Sequence, residues 1–279
     1  MPTSNPAPQP PPDLGWRPAP LVAGSVILHP LALGAVLVQP TLWPWGLGIL
    51  AADHLVLAAA GLWPRSKLLG PNHTRLPDSA VARCEIALTI DDGPDPEVTP
   101  AVLDVLDAHN AKATFFCIGE RASAHPDLCR DIVHRGHAVE NHSHRHRHSF
   151  SLSGPRGLVR ELQTSQTILA GITGQAPAFF RAPAGLRNPF LDPVLSRLGL
   201  QLASWTRRGF DTRERDPIKL LQRLRHGMRA GDILLLHDGN AARTASGQPA
   251  ILAVLPGLLD AIASAGLRPV TLRQAFSCA

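Results

Sequence analysis

The chain has 279 residues, of which 44% are hydrophobic and 18% are charged, so it can bury the core of one large domain or of two smaller ones. Its formal charge of +5 comes from basic residues scattered along the chain, whereas a nucleic-acid-binding domain concentrates them on one face or helix. We therefore expect no nucleic-acid partner. The four cysteines show no paired spacing, which argues against a disulfide framework or a catalytic thiol.

The first quarter of the chain is predicted to be membrane-associated. Residues 1–18 form a proline-rich polar tail that cannot pack a core, and we predict that it is disordered. Residues 19–39 contain no charged side chain, and residues 42–63 contain only Asp53. Each run has the length of about 20 residues that a helix needs to cross a bilayer. The pattern predicts two transmembrane helices that turn near Pro40-Thr41, and two core helices of a soluble protein are the alternative.

Further features of residues 19–63 agree with a membrane hairpin. The Asp53-His54 pair lies in the middle of the second run, where a carboxylate is costly unless it is paired or faces protein. The turn carries no charge, whereas basic residues follow the second run. The positive-inside rule therefore predicts that both termini are cytoplasmic at the cell inner membrane, with a periplasmic domain as the alternative. Tryptophans lie near the predicted helix ends, as interface anchors do: Trp43, Trp45 and Trp63.

The rest of the chain is predicted to be a linker, residues 64–80, and one α/β domain, residues 81–279. In this domain short apolar runs alternate with segments of helical periodicity, which predicts a parallel α/β barrel with functional groups at the C-terminal ends of its strands. Cys84 and Cys117 lie at or within such runs and are expected to be buried thiols. The candidate strands are Glu85–Ile90, Ala113–Ile118, Ala138–Asn141, Ala178–Arg181, Gln201–Trp205, Asp232–Leu236 and Arg268–Thr271.

Capping residues mark the ends of the predicted helices. Thr99 as N-cap and Pro100 at the first helical position predict a helix over Pro100–His109. Three glycines are predicted to end helices at their C-termini: Gly136, Gly199 and Gly266.

Two adjacent carboxylates, Asp91 and Asp92, follow the first candidate strand and precede a Gly93-Pro94 turn. Successive side chains of an extended segment point in different directions. One carboxylate can therefore bind a metal while its neighbour faces a substrate. Asp, Gly and Pro are also common turn residues, so a plain turn is the alternative for this stretch.

A histidine-rich segment, His-Ser-His-Arg-His-Arg-His, begins at residue 142 after the third candidate strand. His142 and His146 with Asp92 would make a site with open positions for water, as in catalytic metal centres. His144 and His148 offer other ligand pairs, and a solvated loop that binds metals loosely is the alternative.

His237 directly follows the apolar run Ile233–Leu236. A histidine at the end of a buried strand is a candidate general acid because its ordinary pKa lies near neutrality. A histidine at the edge of the core, bonded to a backbone carbonyl, is the alternative.

Together these residues resemble the polysaccharide deacetylase family, also called the NodB-homology domain or carbohydrate esterase family 4. The resemblance covers about residues 80–275, and the five family motifs occur in the family's order. They are Thr89–Pro94 (TxDDGP), His142–His146 (HSxxH), Arg181–Gly185 (RxPxG), the tryptophan-containing segment Trp205–Asp211, and an LxxxH-like segment that ends at His237.

The resemblance implies a fold class, an activity and a cofactor. The fold class is α/β, a deformed parallel (β/α)7-type barrel, here preceded by the N-terminal two-helix membrane hairpin. The activity is hydrolysis of an N-acyl group, usually acetyl, from an amino sugar. The cofactor is a divalent metal, usually Zn²⁺ and in some members Co²⁺, Ni²⁺ or Mn²⁺. The implied metal ligands are Asp92, His142 and His146.

The resemblance also assigns catalytic roles. Asp91 would be the general base, Arg181 would orient that base, and His237 would be the general acid. Such a pairing of base and acid around a metal fits amide hydrolysis, since water must lose a proton and the departing amine must gain one.

Positions in the third and fourth motifs are implied to contact substrate, and some depart from the family pattern. Ala184 stands where an aromatic residue is common. Aligned on Trp205, Arg208 stands where many members carry an aspartate that polarises the acid histidine, and Thr212 stands in place of a tryptophan. Asp211 is retained, and we predict that it orients the histidine instead.

The resemblance and the hairpin predict a membrane-anchored, metal-dependent hydrolase of an N-acylated amino sugar. A cytoplasmic active site favours a lipid-linked, polyprenyl-phosphate sugar as the substrate. The alternatives are a cell-wall or exopolysaccharide deacetylase that faces the periplasm, and a non-catalytic metal- or sugar-binding barrel. The presence of both Asp91 and His237 argues against the last of these.

Overall fold

The computed structural model describes residues 16–277. The predicted disordered tail therefore lies almost entirely outside the described residues. This part of the chain contains two apolar helices followed by an α/β domain built on one parallel sheet.

The first two helices form the predicted hairpin. Helix α1 spans Pro20–Val38, a short 3₁₀ turn spans Pro40–Leu42, and helix α2 spans Trp43–Leu62. Both helices are long and apolar enough to cross a membrane. In the most apolar 18-residue stretch of each, only 11% and 17% respectively is buried within the protein. Gly46 lets the helices approach closely, because a Cβ there would lie 2.8 Å from a methyl carbon of Val36.

The α/β domain contains eight parallel strands. They are β1 (Glu85–Asp91), β2 (Thr114–Cys117), β3 (Ala138–Asn141), β4 (Phe179–Phe180), β5 (Gln201–Leu202), β6 (Arg207–Arg208), β7 (Ile233–His237) and β8 (Arg268–Val270). The strand order is β5-β4-β3-β2-β1-β7-β6. The start of β1 pairs with β8 and its end pairs with β2. This curled parallel sheet confirms the predicted deformed-barrel fold class.

Helices pack around the sheet and cover its apolar strands. They are α3 (Asp78–Ala82), α4 (Thr99–Ala108), α5 (Gly119–Ala124), α6 (Pro126–His134), α7 (Pro155–Thr173), α8 (Leu191–Arg197), α9 (Pro217–Arg225), α10 (Ala250–Ser264) and α11 (Leu272–Ser277). Helix α10 shows why they dock, since its apolar side chains recur at helical spacing and are buried. Every residue of β1 is buried, because helices or strands cover it on both faces.

Several local predictions differ from the structure. Thr99 is not an N-cap, because its hydroxyl accepts from the Asp95 N–H at 2.8 Å and donates to Asp238 at 2.5 Å. Cys84 is exposed in a left-handed turn (φ 55°) before β1, whereas Cys117 is buried as expected. The predicted helix-ending glycines do adopt positive φ: Gly136, Gly199 and Gly266.

The predicted linker, residues 64–80, packs against the α/β domain. Leu69 and Leu76 are buried, and Ser204 donates its hydroxyl hydrogen to the Pro64 carbonyl at 2.6 Å. Asn72 donates to the Pro64 carbonyl at 3.0 Å. These contacts hold the end of α2 against the strand ends of the domain, and the division at residue 80 stays a prediction.

Candidate active site and metal centre

A cleft of about 650 Å³ opens at the C-terminal ends of the strands. It lies there because β1 and β7 are parallel neighbours in register, with Asp91 opposite His237. Eight of the ten predicted site residues line it: Asp91, Asp92, His142, His146, Ala184, Trp205, Arg208 and His237. The other two, Arg181 and Asp211, lie behind the cleft wall and contact residues that line it.

Asp92, His142 and His146 form a compact triad. One carboxylate oxygen of Asp92, Oδ1, lies 3.2 Å from Nε2 of His142 and 3.2 Å from Nε2 of His146. His142 donates its Nδ1–H to the Arg181 carbonyl at 2.8 Å, which leaves the Nε2 lone pair for a cation. The donor set of two imidazoles and one carboxylate fits a divalent metal.

The backbone around the triad is held in uncommon conformations. Asp92, Ser143 and His146 all have positive φ, at 74°, 63° and 49°, which costs about 1–3 kcal/mol for each non-glycine residue. Hydrogen bonds offset this cost. Asn141 Oδ1 accepts from the Ser143 N–H at 2.9 Å, and Ser143 Oγ accepts from the His146 N–H at 3.0 Å.

The ionisation of Asp92 and His146 favours cation binding. Burial alone would raise the pKa of Asp92, but the hydrogen bond and charge of His142, with His146 and His237, lower it well below its usual range. Burial first, and then the neighbouring His142, lowers the pKa of His146 to about 4. A carboxylate and a neutral imidazole are the forms that bind a metal. Burial lowers the pKa of His142, but the charges of Asp91 and Asp92 outweigh it and raise that pKa, so a cation must displace a proton from this ring.

The alternative ligand pairs within the histidine-rich segment do not assemble. Among residues 16–277, the groups able to hold a metal include His142 and His146 with Asp92, but neither His144 nor His148. His148 lines the cleft beside the triad, and the His144 carbonyl accepts from the Glu120 N–H.

Asp91 is fixed by a buried arginine. Arg181 is 1% exposed and donates from Nη1 to Asp91 Oδ1 and to Thr89 Oγ1, both at 2.7 Å. Nε donates to the Ala203 carbonyl at 3.1 Å, and Nη2 donates to the Ser204 carbonyl at 2.8 Å. The guanidinium can therefore hold Asp91 in one orientation.

Replacing Arg181 with methionine is expected to lower the free energy of unfolding by about 3–5 kcal/mol, because it leaves the Asp91 carboxylate buried without its cation. Denaturant titration would measure the loss. The matched control is Arg130→Met, since Arg130 pairs with Asp127 at the surface, where the side chains are 57% and 93% exposed. That change should cost at most about 1 kcal/mol. Equal effects of the two substitutions would contradict the assigned role of Arg181.

His237 is fixed by Asp211. Its Nδ1–H donates to Asp211 Oδ1 at 2.9 Å, and its backbone N–H donates to Asp211 Oδ2 at 2.6 Å. Burial opposes the charged imidazolium, but the hydrogen bond and charge of the fully buried Asp211 outweigh it and raise the pKa of His237. Asp211 thus makes the contact that Arg208 cannot make.

Ala184, Trp205 and Arg208 form one wall of the cleft. Ala184 is exposed and has a positive φ of 54°. The next residue, Gly185, cannot carry a side chain, because a Cβ would lie 2.6 Å from the Trp205 ring. The Arg208 guanidinium lies over the rings of Trp205 and Phe210, with its carbon 5.6 Å and 5.1 Å from their centroids.

Three polar residues at the site lie outside the five family motifs identified in the sequence. Asn240 donates to Asp92 Oδ2 at 3.1 Å, and Arg121 donates to the Asp92 carbonyl at 2.8 Å. Asp238 is buried, and burial raises its pKa to about 7. Asn240 and Asp238 lie close to His237 in the chain and could have been suspected on that ground, whereas nothing in the sequence marks Arg121.

The chain is similar in sequence to known proteins. The family model for polysaccharide deacetylase matches residues 79–203. A chitooligosaccharide deacetylase of Azorhizobium caulinodans is 35% identical over 155 residues, which are 55% of this chain and 73% of that protein. A peptidoglycan-N-acetylglucosamine deacetylase of Bacillus cereus is 32% identical over 191 residues, which are 68% of this chain and 86% of that protein.

The chain belongs to the polysaccharide deacetylase family.

Solved structures of the family agree with this assignment. A peptidoglycan N-acetylglucosamine deacetylase in complex with a hydroxamate-type benzamide has a TM-score of 0.67 and 26% identity, over 74% of this chain and 92% of that one. A family 4 carbohydrate esterase from Streptomyces lividans has a TM-score of 0.60 and 30% identity, over 66% and 91%. Membership makes the protein a carbohydrate N-deacetylase of a metal-dependent hydrolase family, and the Asp92-His142-His146 triad is consistent with its divalent metal site.

The fold alone does not establish catalysis in this family. A CE4 family pseudoenzyme from Bacillus anthracis shares the fold at 22% identity, with a TM-score of 0.65 over 73% of this chain and 68% of that one. The case for activity in the present polysaccharide deacetylase therefore depends on the side chains of its cleft.

Proposed function

We propose that this protein is a membrane-anchored, metal-dependent hydrolase that removes an N-acyl group, acetyl foremost, from an amino sugar. The observation that carries the proposal is the arrangement of a base and an acid next to one metal triad. Asp91 and His237 are register partners on β1 and β7, and each has its own buried partner, Arg181 and Asp211.

Asp92, His142 and His146 would hold the cation. When bound, a divalent metal lowers the pKa of water and polarises the amide carbonyl. Asn240 donates a hydrogen bond to the side-chain oxygen Oδ2 of the ligand Asp92. Arg121 donates one to the backbone carbonyl of Asp92. Such outer contacts orient a ligand and tune its affinity for the metal.

Asp91 is placed to act as the general base. Its Oδ1 is occupied by Arg181, whereas its Oδ2 faces the triad, 3.8 Å from Nε2 of His142. Arg181 orients the carboxylate, and a carboxylate can accept a proton from an attacking water. The exposed turn at Ala184 could offer a backbone N–H to the oxyanion that develops on the substrate.

His237 is placed to act as the general acid. Because Nδ1–H is committed to Asp211, the proton that it can release into the cleft is the one on Nε2. The raised pKa of His237 keeps this proton bound to higher pH than on an ordinary imidazole. Release to the departing amine would complete hydrolysis of the amide.

Replacing Asp211 with asparagine tests this assignment by pH dependence. Asparagine keeps an acceptor for Nδ1–H but removes the charge that raises the pKa of His237. The acid form is therefore lost at lower pH, and we expect the alkaline limb of the kcat/KM profile to move to lower pH, with a lower maximum. Asp260→Asn, an exposed change on α10, should leave the profile in place. An unmoved alkaline limb in Asp211→Asn would contradict the role of His237.

The charge of the cleft supports an anionic amino sugar as the substrate. Four arginines line it, against one acidic residue besides Asp91 and Asp92: Arg121, Arg145, Arg208 and Arg213, against Glu120. Nε of Arg208 is buried and finds no hydrogen-bond partner among residues 16–277. Together with the apolar hairpin, this favours a polyprenyl-phosphate-linked sugar, which presents both a phosphate and a membrane tail.

A polymer is the second candidate, because the relatives are named for deacetylation of chitooligosaccharides and peptidoglycan. The experiment compares release of acetate from three substrates: an N-acetylated chitooligosaccharide, peptidoglycan, and a polyprenyl-phosphate N-acetylamino sugar. The proposal predicts the highest kcat/KM for the lipid-linked sugar, and preference for a polymer would replace it by the second candidate.

Replacing Arg208 with serine tests whether this side chain causes the preference for a phosphate-linked sugar. We expect it to raise KM for the phosphate-linked sugar about tenfold, because a charge-assisted hydrogen bond of about 1.5–3 kcal/mol would be lost. KM for the neutral chitooligosaccharide should stay the same. Arg197→Ser is the matched control, since Arg197 is exposed on α8 and does not line the cleft. Equal effects on charged and neutral substrates would exclude Arg208 as a phosphate contact.

The hairpin is proposed as a membrane anchor on the strength of its two apolar helices. With basic residues after α2 and none in the turn, the positive-inside rule would place both termini and the cleft in the cytoplasm. That side suits a lipid-linked substrate, whereas a cell-wall polymer would require the periplasmic side.

A further inference from the structure

The two apolar helices contain a polar cluster that the catalytic site does not use. Apart from tryptophans, the polar side chains of α1 and α2 are Ser25 and His29 on the first helix and Asp53 and His54 on the second. All four lie near the middle of their helices and meet across the hairpin. Ionisable groups in so apolar a setting are costly unless they are paired or bind an ion.

Hydrogen bonds fix the ring orientation of both histidines. Nδ1 of His29 lies 2.7 Å from the Ser25 carbonyl, and Nδ1 of His54 lies 2.9 Å from the Leu50 carbonyl. A carbonyl can only accept, so each ring carries a hydrogen on Nδ1, and a neutral ring then has a free lone pair on Nε2. This anchoring of one ring nitrogen is the usual arrangement around a metal-binding histidine.

Asp53 completes the set. The Ser25 hydroxyl donates to Asp53 Oδ2 at 2.6 Å, which orients the carboxylate from the opposite helix. The imidazole rings of His29 and His54 have centroids 5.2 Å apart. One nitrogen or oxygen from each of His29, Asp53 and His54 lies within 4.8 Å of the others.

With each Nδ1–H committed to a carbonyl, the cluster brings two Nε2 atoms and one carboxylate together. A metal cation between them would contact all three groups at once. Two imidazoles and a carboxylate are the ligands that Zn²⁺ prefers among protein oxygens and nitrogens.

We propose that His29, Asp53 and His54 form a metal site, separate from the catalytic triad, that takes a divalent cation of the Zn²⁺ class and joins α1 to α2. The cation would neutralise Asp53 within an apolar hairpin and tie its two helices together. This site does not depend on the proposed deacetylation, because it shares no residue with the cleft.

The test is the Zn²⁺ content of the full chain, purified in detergent, loaded with Zn²⁺ and desalted. We expect two equivalents in the unaltered protein, one in His29→Leu/His54→Leu and one in His142→Ala. Leucine is more favourable than histidine at the centre of a membrane helix, so the double variant should keep its hairpin. Helix content by circular dichroism checks this. His109→Leu, which removes a surface histidine near Asp260, should retain two equivalents.

A second measurement isolates the hairpin site. His142→Ala protein loaded with Co²⁺ should show visible absorption from bound cobalt that disappears when His29→Leu/His54→Leu is added. One Zn²⁺ in the unaltered protein, lost in His142→Ala and unaffected by His29→Leu/His54→Leu, would overturn the proposal and leave a hydrogen-bonded helix contact. An equal loss in His109→Leu would overturn it as well, since the extra Zn²⁺ would then be bound non-specifically.

Discussion

Replacing Asp91 with asparagine is expected to lower kcat for deacetylation by about 10²–10⁴-fold, the usual contribution of a general base. Asparagine has nearly the same shape, and its side-chain oxygen can still accept from Arg181, which now contacts Asp91 Oδ1 at 2.7 Å. It cannot take a proton from water. Because Asp92, His142 and His146 are unchanged, the variant should bind one catalytic metal as tightly as before.

Asp104→Asn is the matched control for this substitution. Asp104 lies on α4 with a side chain that is 70% exposed, so its replacement should leave kcat unchanged. Turnover in Asp91→Asn equal to that of the unaltered protein would remove Asp91 from the mechanism. If the unaltered protein binds metal and sugar but releases no acyl group, the barrel would be non-catalytic, and the fold is shared with a pseudoenzyme.

Replacing His142 with alanine is expected to abolish activity by removing the catalytic metal. His142 places Nε2 3.2 Å from Asp92 Oδ1, and its Nδ1–H is held by the Arg181 carbonyl. Without it, two of the three protein ligands remain, and the site should lose most of its affinity for a divalent cation. Treatment of the unaltered protein with a chelator should have the same effect, and added Zn²⁺ should restore activity only in that case.

His148→Ala is the control within the same histidine-rich segment. His148 lines the cleft but is not part of the triad, so its replacement should leave the catalytic metal in place. Loss of metal in His148→Ala with retention in His142→Ala would mean that the other ligand pairs of the segment hold the cation.

Much of the site could be predicted because its residues follow strands. Asp91 and Asp92 come directly after a buried apolar run, as His237 does, and parallel neighbouring strands bring their C-terminal ends to one edge. The histidine pair was ambiguous in the sequence, since four histidines alternate along the segment. The positive φ values of Ser143 and His146 decide which rings turn toward Asp92, and no periodic pattern records such a conformation.

Other parts of the site depend on contacts between distant segments, which a single sequence does not encode in any local pattern. Arg121 lies on α5, yet it reaches the Asp92 carbonyl. Thr99 was interpreted as a helix cap, but in the fold its hydroxyl is taken by Asp238, 139 residues away in the chain. The short strand β6 was also not predicted, because two arginines do not resemble a buried strand.

We infer that the departures from the family motifs affect the choice of substrate rather than the chemistry. Many family members contact the acid histidine with an aspartate at the position of Arg208. Here Asp211 contacts His237 instead, so the proposed acid keeps a carboxylate partner. Arg208 is left free to face the cleft from its position over Trp205 and Phe210. The change therefore adds a positive charge to the substrate side of the site.

The most direct test of the account is to measure acetate and new primary amine together when the full-length, Zn²⁺-loaded protein acts on N-acetylated amino sugars. Hydrolysis of an amide predicts that the two products appear in equal amounts and that both disappear in Asp91→Asn. Acetate without new amine would mean that the cleft hydrolyses an ester. Neither product, from a protein that holds its catalytic metal, would contradict the assignment of Asp91 and His237 as base and acid.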